Sequence, residues 1–385
     1  MLEMGLFFED YNFEKHRDKD YYIQKNMLVS KLRKVFPAKR KVCFICGKKI
    51  SGKLCFSHSI PQFVLKNIAY NGELLTGINI HNMDSGKKSG ILNTFTFSLI
   101  CSNCDGKVFS NYEKQNFSTV LIDQKVLREI ALKNYLRMYY KSDEMYNYCD
   151  GLQNYIFDED DKRFLGYTAI TQLFNTCCYL KMIKDISDNK INFYLIDDIE
   201  LPYRTSLAFQ NFVALKVGFE GELINGLGKY EHKMIEGIEH KYKSVINSLI
   251  KENYNHLHIC VYPLEEKTRI LLFIRDGDMK YKKFYKHFRS LSLCKKLYVI
   301  NYILLQYSEE YVINPLVYSK IELTDETKHV LKLTTNYSSL TQPIKDNLDY
   351  DLIITKETIK NFTLKEEGNI TNFLLDYNNL IKEKY

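Results

Sequence analysis

Two Cys-x-x-Cys pairs, Cys43-Phe-Ile-Cys46 and Cys101-Ser-Asn-Cys104, bracket a lone histidine, His58, with Pro61 close behind it. A Cys-x-x-Cys turn aims two thiolates at one ion with little strain, and four thiolates are a donor set that tetrahedral Zn2+ prefers. The 54 residues between Cys46 and Cys101 are long for a zinc ribbon and reasonable for a module carrying an insertion. Cys55 competes as a ligand, although its place on the approach to His58 favours burial. His58 offers a different chemistry. At neutral pH an imidazole takes a proton from water, giving hydroxide for attack on a phosphodiester. A histidine on a strand is by itself more often structural; the flanking knuckles and Ile60-Pro61 are what point to chemistry here.

Short elements must position these groups. Lys41 to Phe44 reads as a strand entering the first knuckle, with Gly47 letting the backbone reverse. Residues 54–58 read as a second strand delivering His58, and Gln62 to Tyr70 as a helix burying Phe63, Leu65 and Ile68. Residues 71–92, rich in Gly, Asn, Ser and Lys, read as an exposed insertion. Asn93 to Ile100 reads as a strand that brings in the second knuckle, and residues 105–120 as a helix. Strand, turn and helix around one zinc ion make a treble-clef or ββα-metal arrangement.

These residues resemble the HNH (His-Me finger, ββα-metal) endonuclease superfamily over roughly residues 41–117. The likeness is nearest to a bacterial branch with Ser-His-x-Ile-Pro, Cys-x-x-Cys-Asp/Glu and a downstream Tyr-Glu, here Ser57 to Pro61, Cys101 to Asp105, and Tyr112-Glu113. The resemblance implies structural Zn2+ on Cys43, Cys46, Cys101 and Cys104, and His58 as general base. It also implies Asp105 at the last catalytic-metal position and Asn93 as the asparagine that orients the histidine loop. A catalytic Mg2+ or Mn2+ would hold the scissile phosphate and stabilise the leaving 3′ oxygen. The implied activity is hydrolysis of DNA or RNA, with bacterial defence as the setting suggested by analogy. Ser57 stands where the superfamily usually has an acidic metal ligand, and a hydroxyl is a poorer Mg2+ ligand than a carboxylate. Glu113, eight residues after Asp105, would sit ~12 Å further along a continuous helix and so could not share a metal with it unless the helix begins late; its other roles are to cap, to pair with a basic residue or to face the substrate.

Beyond the site, the expected organisation is a helical lead-in over 1–40, the zinc module over 41–120, a helical connecting region over 121–190, and an α+β domain on a small antiparallel sheet over 191–385. Leu121 to Tyr140 carries Leu127, Ile130, Ala131, Tyr135 and Met138 on one stripe. Residues 143–161 read as a polar loop whose acidic run Asp158 to Asp161 is more simply solvated than a cation site. Residues 163–186 read as a helix in which Cys177 and Cys178 are buried small hydrophobes. Strands are expected over 191–196 and 207–218, and a hairpin joins 257–262 to 268–275. Helices are expected over 223–251, 280–289, 291–309 and 371–384. His256 and His258 share a strand face and read as structural rather than as a metal pair. His232 and His240 fall on a charged helix. Tyr139, Tyr140, Tyr281 and Tyr285, with Lys282, Lys283, Lys286 and Arg289, suit either a nucleic-acid surface or an ordinary amphipathic helix.

Composition sets the limits. The chain has 385 residues, 45% hydrophobic and 26% charged, which is enough for large cores and argues against extended disorder. The net charge is +7, and nine basic residues with no acidic one lie between Lys31 and Lys53, a block suited to phosphates or to plain solvation. No Walker loop, Gly-x-Gly-x-x-Gly after a strand, Gly-x-Ser-x-Gly or His-Glu-x-x-His is present. No run of ~20 apolar residues indicates a membrane span. The first ten residues lack a signal peptide's pattern, so a cytoplasmic location is expected, where ten cysteines serve metal binding and burial rather than disulfides. The expected partners are nucleic acid and, through the C-terminal domain, another protein or a second copy. Two other readings stay open: a catalytically inactive zinc module that binds nucleic acid or protein, and a toxin or effector switched on by a partner.

Overall fold

The computed structural model describes residues 42–50, 55–81, 87–153, 159–215, 255–328, 330–331 and 370–378. The expected lead-in, the 223–251 helix with His232 and His240, and all of the basic block except Lys48 and Lys49 lie outside these residues.

The fold is mixed α+β. Its centre is a seven-stranded, wholly antiparallel sheet in the order β3-β2-β9-β6-β7-β8-β5. The strands are β2 (Glu73–Thr76), β3 (Ser89–Gly90), β5 (Phe193–Leu201), β6 (Leu207–Val213), β7 (Leu257–Pro263), β8 (Thr268–Arg275) and β9 (Tyr311–Ile313). The expected β7–β8 hairpin is present, with Leu257 opposite Ile274 and Pro263 opposite Thr268. Both hairpin strands are buried apart from Arg275 at the end of β8, because alternate side chains feed two different cores. On β7, Leu257, Ile259 and Val261 enter one core, and Cys260 and Tyr262 enter the other.

The first core lies beneath α4 (Gln124–Gln153) and α5 (Glu159–Ser187). Asp123 caps α4, its Oδ1 accepting from Val126 N at 2.9 Å. Leu127, Ile130, Ala131 and Tyr135 then form the stripe that faces the sheet. The second core is covered by α6 (Lys282–Ser290), α7 (Leu293–Tyr307), α8 (Pro315–Lys320) and the segment around Phe373.

Several expectations fail for identifiable reasons. Residues 73–81 are not an exposed insertion. Leu74, Leu75 and Thr76 are buried, Leu75 pairs with Ile313, and Gly77–His81 forms a short helix, α2, whose His81 Nε2 meets Tyr311 Oη at 3.1 Å. The polar stretch from 143 continues α4 to Gln153, because Cys149 is buried against Leu165 and Ala169 of α5. Cys178 is buried as expected, whereas Cys177 is exposed. Residues 371–376 are not helical. Asn301 of α7 grips them, its amide donating to Thr371 O and its carbonyl accepting from Phe373 N, and Asp376 bridges to Thr205. The remainder of that expected helix, from 379, lies outside the described residues.

Gly77 marks a close approach between α2 and β9. A Cβ there would lie 2.6 Å from Glu309 O and 2.9 Å from Tyr311 Cε1. Gly77→Ala is expected to destabilise the protein by about 1–3 kcal/mol through overpacking, read as a lower urea midpoint.

Candidate metal centre and histidine site

Four short elements carry the site: β1 (Ser57–His58), α1 (Gln62–Ile68), β4 (Thr96–Phe97) and α3 (Ser102–Val108). β1 and β4 form an antiparallel ribbon that pairs Ser57 with Phe97 and His58 with Thr96. The strand at 54–58 is thus shorter than expected, and Pro61 opens α1 at once.

The first knuckle is a tight turn in which Gly47 N donates to Cys43 O and Cys43 N to Lys48 O, each at 2.9 Å. Gly47 adopts φ +66, a conformation that glycine reaches without a Cβ clash. Phe44 N donates to Leu99 O at 2.9 Å, and Cys101 N to Cys43 Sγ at 3.3 Å, so the two knuckles are docked on each other. Cys101 immediately precedes α3 and Cys104 lies on its first turn. The four Sγ atoms all lie within 4.8 Å of one another. Thiolates around one tetrahedral zinc stand roughly 3.8 Å apart, so this donor set suits a structural metal such as zinc. Burial opposes ionisation of Cys43, yet hydrogen bonds from Cys46, Cys101 and Ile45 prevail and bring it down to about 6. Cys104 is pushed up by burial and by its hydrogen bonds with the other three. Metal binding must therefore displace thiol protons, and it weakens on acidification. Cys55 stays outside the cluster, with its Sγ 3.6 Å from Asp105 Oδ2.

His58 is half-buried, and its Nε2 lies 3.0 Å from Ile91 O. A carbonyl only accepts, so Nε2 carries the hydrogen and Nδ1 of the neutral ring keeps the lone pair. Burial, joined by the charge of Lys133, holds the imidazole below its ordinary pKa, against the Ile91 bond and the charge of Asp105. Phe56 and Leu92, neighbours of this contact in the chain, are 66% and 69% exposed. Asn93 is exposed on the turn Ile91–Asn93 and makes no hydrogen bond with His58. The carbonyl of Ile91, rather than Asn93, fixes the ring.

Asp105 faces a residue that the sequence reading did not single out. Its Oδ1 accepts from Ser57 Oγ at 2.6 Å and from Lys133 Nζ at 2.7 Å. Lys133 projects from α4, is 1% exposed, and also meets Glu113 Oε1 at 2.8 Å and the Phe109 ring at 4.1 Å. Glu113 thus pairs with a basic residue, one of the roles open to it, and it reaches the same ammonium as Asp105 because α3 ends at Val108 and not near 120. Phe109 and Tyr112 turn into the core, and both the backbone and side-chain N–H of Asn111 donate to Glu129, which pulls the chain off the helical path. Burial disfavours the Asp105 carboxylate, but Lys133, Ser57 and Cys55 outweigh it and hold its pKa below the ordinary value. Glu113 is pushed up by burial despite the same ammonium.

From Glu113 a polar chain runs inward. Tyr112 Oη donates to Glu113 Oε1 at 3.2 Å and accepts from Gln210 Nε2 at 3.2 Å. Gln210 also binds Asn134 and Tyr262, and Asn134 Nδ2 meets His258 Nδ1 at 3.1 Å. His258 stacks on Phe273, and His256 meets Tyr135 Oη at 3.0 Å, so both histidines are buried structural groups.

A catalytic Mg2+ or Mn2+ does not fit these carboxylates as they stand. Asp105 Oδ1 and Glu113 Oε1 already face the Lys133 ammonium, and Ser57 brings no charge. Of the two readings of the aromatic and basic residues farther along, the amphipathic helix is the arrangement present. Tyr281 is buried, Arg289 is turned onto the carbonyls of Leu195 and Ile196, and Tyr139 packs on Phe44. Lys282, Lys283 and Lys286 remain as the exposed face of an amphipathic helix. Among the described residues, no helix is long and apolar enough to cross a membrane. A comparison of the chain with protein-family models, curated proteins and solved structures finds no match.

Proposed function

We propose that residues 41–120 form a zinc-stabilised HNH-like module of treble-clef type that cleaves phosphodiester bonds in nucleic acid, with His58 as general base. The observation that carries this reading is the state of His58. Its ring is neutral, fixed through Nε2 by Ile91 O, half-open to solvent, and placed on a ribbon between two cysteine knuckles. The succession of β1, β4 and α3, with α1, β2, α2 and β3 inserted between the two strands, supports a ββα reading. Cys43, Cys46, Cys101 and Cys104 would hold the zinc ion, which supplies structural cross-linking of the knuckles.

In the reaction, Nδ1 removes a proton from the attacking water, and the leaving oxygen takes up a proton from solvent as it departs. The new P–O bond forms as the bond to the leaving oxygen breaks. Lys48 and Lys49, both exposed, offer charge to the backbone, and Phe56 offers a flat apolar face for a base. The test is cleavage of plasmid DNA and of RNA by the zinc-loaded protein and by His58→Ala. A loss of about 100-fold or more is expected on removing the base. The wild-type rate should fall on acidification only below the ordinary imidazole range, since the folded His58 pKa is lowered. No cleavage by either protein, or equal cleavage by both, defeats the assignment.

A second reading is supported by Lys133. With Asp105 and Glu113 both held by an internal cation, the module suits a non-catalytic zinc element that binds nucleic acid or protein. Unchanged binding of labelled RNA or DNA by His58→Ala, without cleavage, would favour it.

A further inference from the structure

The most unusual charged group among the described residues is Lys133. A lysine side chain with 1% exposure needs full compensation, and this one receives it from two carboxylates and an aromatic face. The two carboxylates reach it from different directions. Asp105 comes from the first turn of α3, directly after the fourth cysteine, and Glu113 comes from the turns that follow the helix. Their bound oxygens stand 2.7 Å and 2.8 Å from Nζ, with Ser57 Oγ completing the contact through Asp105 at 2.6 Å.

We propose that the Lys133 ammonium is the resident cation of the histidine site, standing where a divalent ion would otherwise bridge Asp105 and Glu113, so that the native site takes up no Mg2+ or Mn2+ there. The proposal rests on the hydrolytic reading only in treating this place as part of that site; its own evidence is the geometry around Nζ. A divalent ion binds carboxylate oxygens at about 2.0–2.1 Å. Drawing on the same two oxygens would set it beside the ammonium with only two negative charges to serve three positive ones. Lys133 cannot swing aside into solvent, because Phe109, Phe97 and the body of α4 enclose it. Ser57 fits the same logic. A carboxylate there would add a third acid around a monovalent ion, whereas a hydroxyl donates to Asp105 and adds no charge. Lys133 is thus a positioning residue: it holds α3 and its following turn against α4, and through Tyr112 and Gln210 it joins the site to the sheet.

Mn2+ binding to the full, zinc-loaded chain, followed by electron paramagnetic resonance, tests the idea without reading cleavage, so the hydrolytic reading can fail independently. Wild type is expected to bind no stoichiometric Mn2+ at this place. Lys133→Met, which keeps the length and apolar body of the side chain, is expected to bind a single equivalent at least about tenfold more tightly, and adding Asp105→Asn should abolish that binding. Stoichiometric Mn2+ on wild type that disappears with Asp105→Asn overturns the proposal. So does a Lys133→Met protein that retains zinc and its circular dichroism yet gains no Mn2+. If Lys133→Met does not fold, the wild-type and Asp105→Asn titrations still decide.

Discussion

Cys101→Ser is expected to release the bound metal and detach the first knuckle. The segment 42–50 has little else to hold it. Val42 is largely exposed, Phe44, Ile45 and Ile50 are only half-buried, and the docking bonds to the second knuckle are Phe44 N to Leu99 O and Cys101 N to Cys43 Sγ. Structural zinc contributes apparent binding free energies of about 10–16 kcal/mol in small zinc domains, far more than such contacts supply. The effect should stay local. Leu74 and Leu75 are anchored in the sheet, and Ile60, Val64 and Phe97 share a core with α4. Atomic emission should show loss of stoichiometric zinc, and limited proteolysis should cut first near 42–50 while the sheet survives. A variant that keeps its zinc contradicts the four-cysteine assignment.

Arg137→Met is expected to cost about 3–5 kcal/mol, because it removes the two-bonded partner of a buried carboxylate. Arg137 grips Glu310 with two bonds, of 3.0 Å and 2.8 Å, and donates to Thr96 O at 2.9 Å, which fastens α4, the β1–β4 ribbon and the strand β9 at one point. Asn211 adds a bond to Glu310 at 3.2 Å. Burial resists ionisation of Glu310, but Arg137 and Lys141 more than reverse this and set its pKa at about 2. The folded pKa lies below the unfolded one, so the pair's stabilisation is complete above the ordinary glutamate value and disappears as pH falls toward 2. In Arg137→Met only Lys141, at 3.4 Å, and Asn211 still face Glu310, so burial counts for more and Glu310 is more readily protonated than in the native protein. The stability gap between the two proteins should therefore narrow from pH 7 to pH 3 in urea titrations. A second change, Glu310→Gln, should recover part of the loss by removing the buried charge.

The parts that sequence made legible are those whose chemistry is local. A Cys-x-x-Cys turn needs only its own residues and a following glycine, so the cluster could be read from Cys43, Cys46, Gly47, Cys101 and Cys104. Alternating Leu257, Ile259 and Val261 announced a strand in the same way. What stayed hidden depends on partners far along the chain. Glu73 to Thr76 is a four-residue strand among turn-forming residues, and only the pairing of Leu75 with Ile313 shows that it is core. Lys133 follows Asp105 by a whole helix, and nothing local distinguishes it from the other lysines. A signal did exist: Glu129, Lys133, Asn134 and Arg137 interrupt the buried stripe of α4, and polar residues inside such a stripe need partners. That Glu113 pairs with a basic residue is open from sequence, but which one is not, because Asn111 and Glu129 break the helix that would carry Glu113 away from Lys133.

The pairing of β2 with β9 also bears on how the molecule assembles. Leu75 meets Ile313, so the sheet cannot close across that seam until nearly the whole of the described chain has been made, whereas the four cysteines lie between 43 and 104. Contacts of such long sequence separation form slowly, because the intervening chain must first lose its freedom. The four-cysteine cluster is free to form early on the ribosome, and Leu74, Leu75 and Ile80 must then wait, uncovered, for β9. That interval is where an unassisted chain is most exposed to wrong edge pairing.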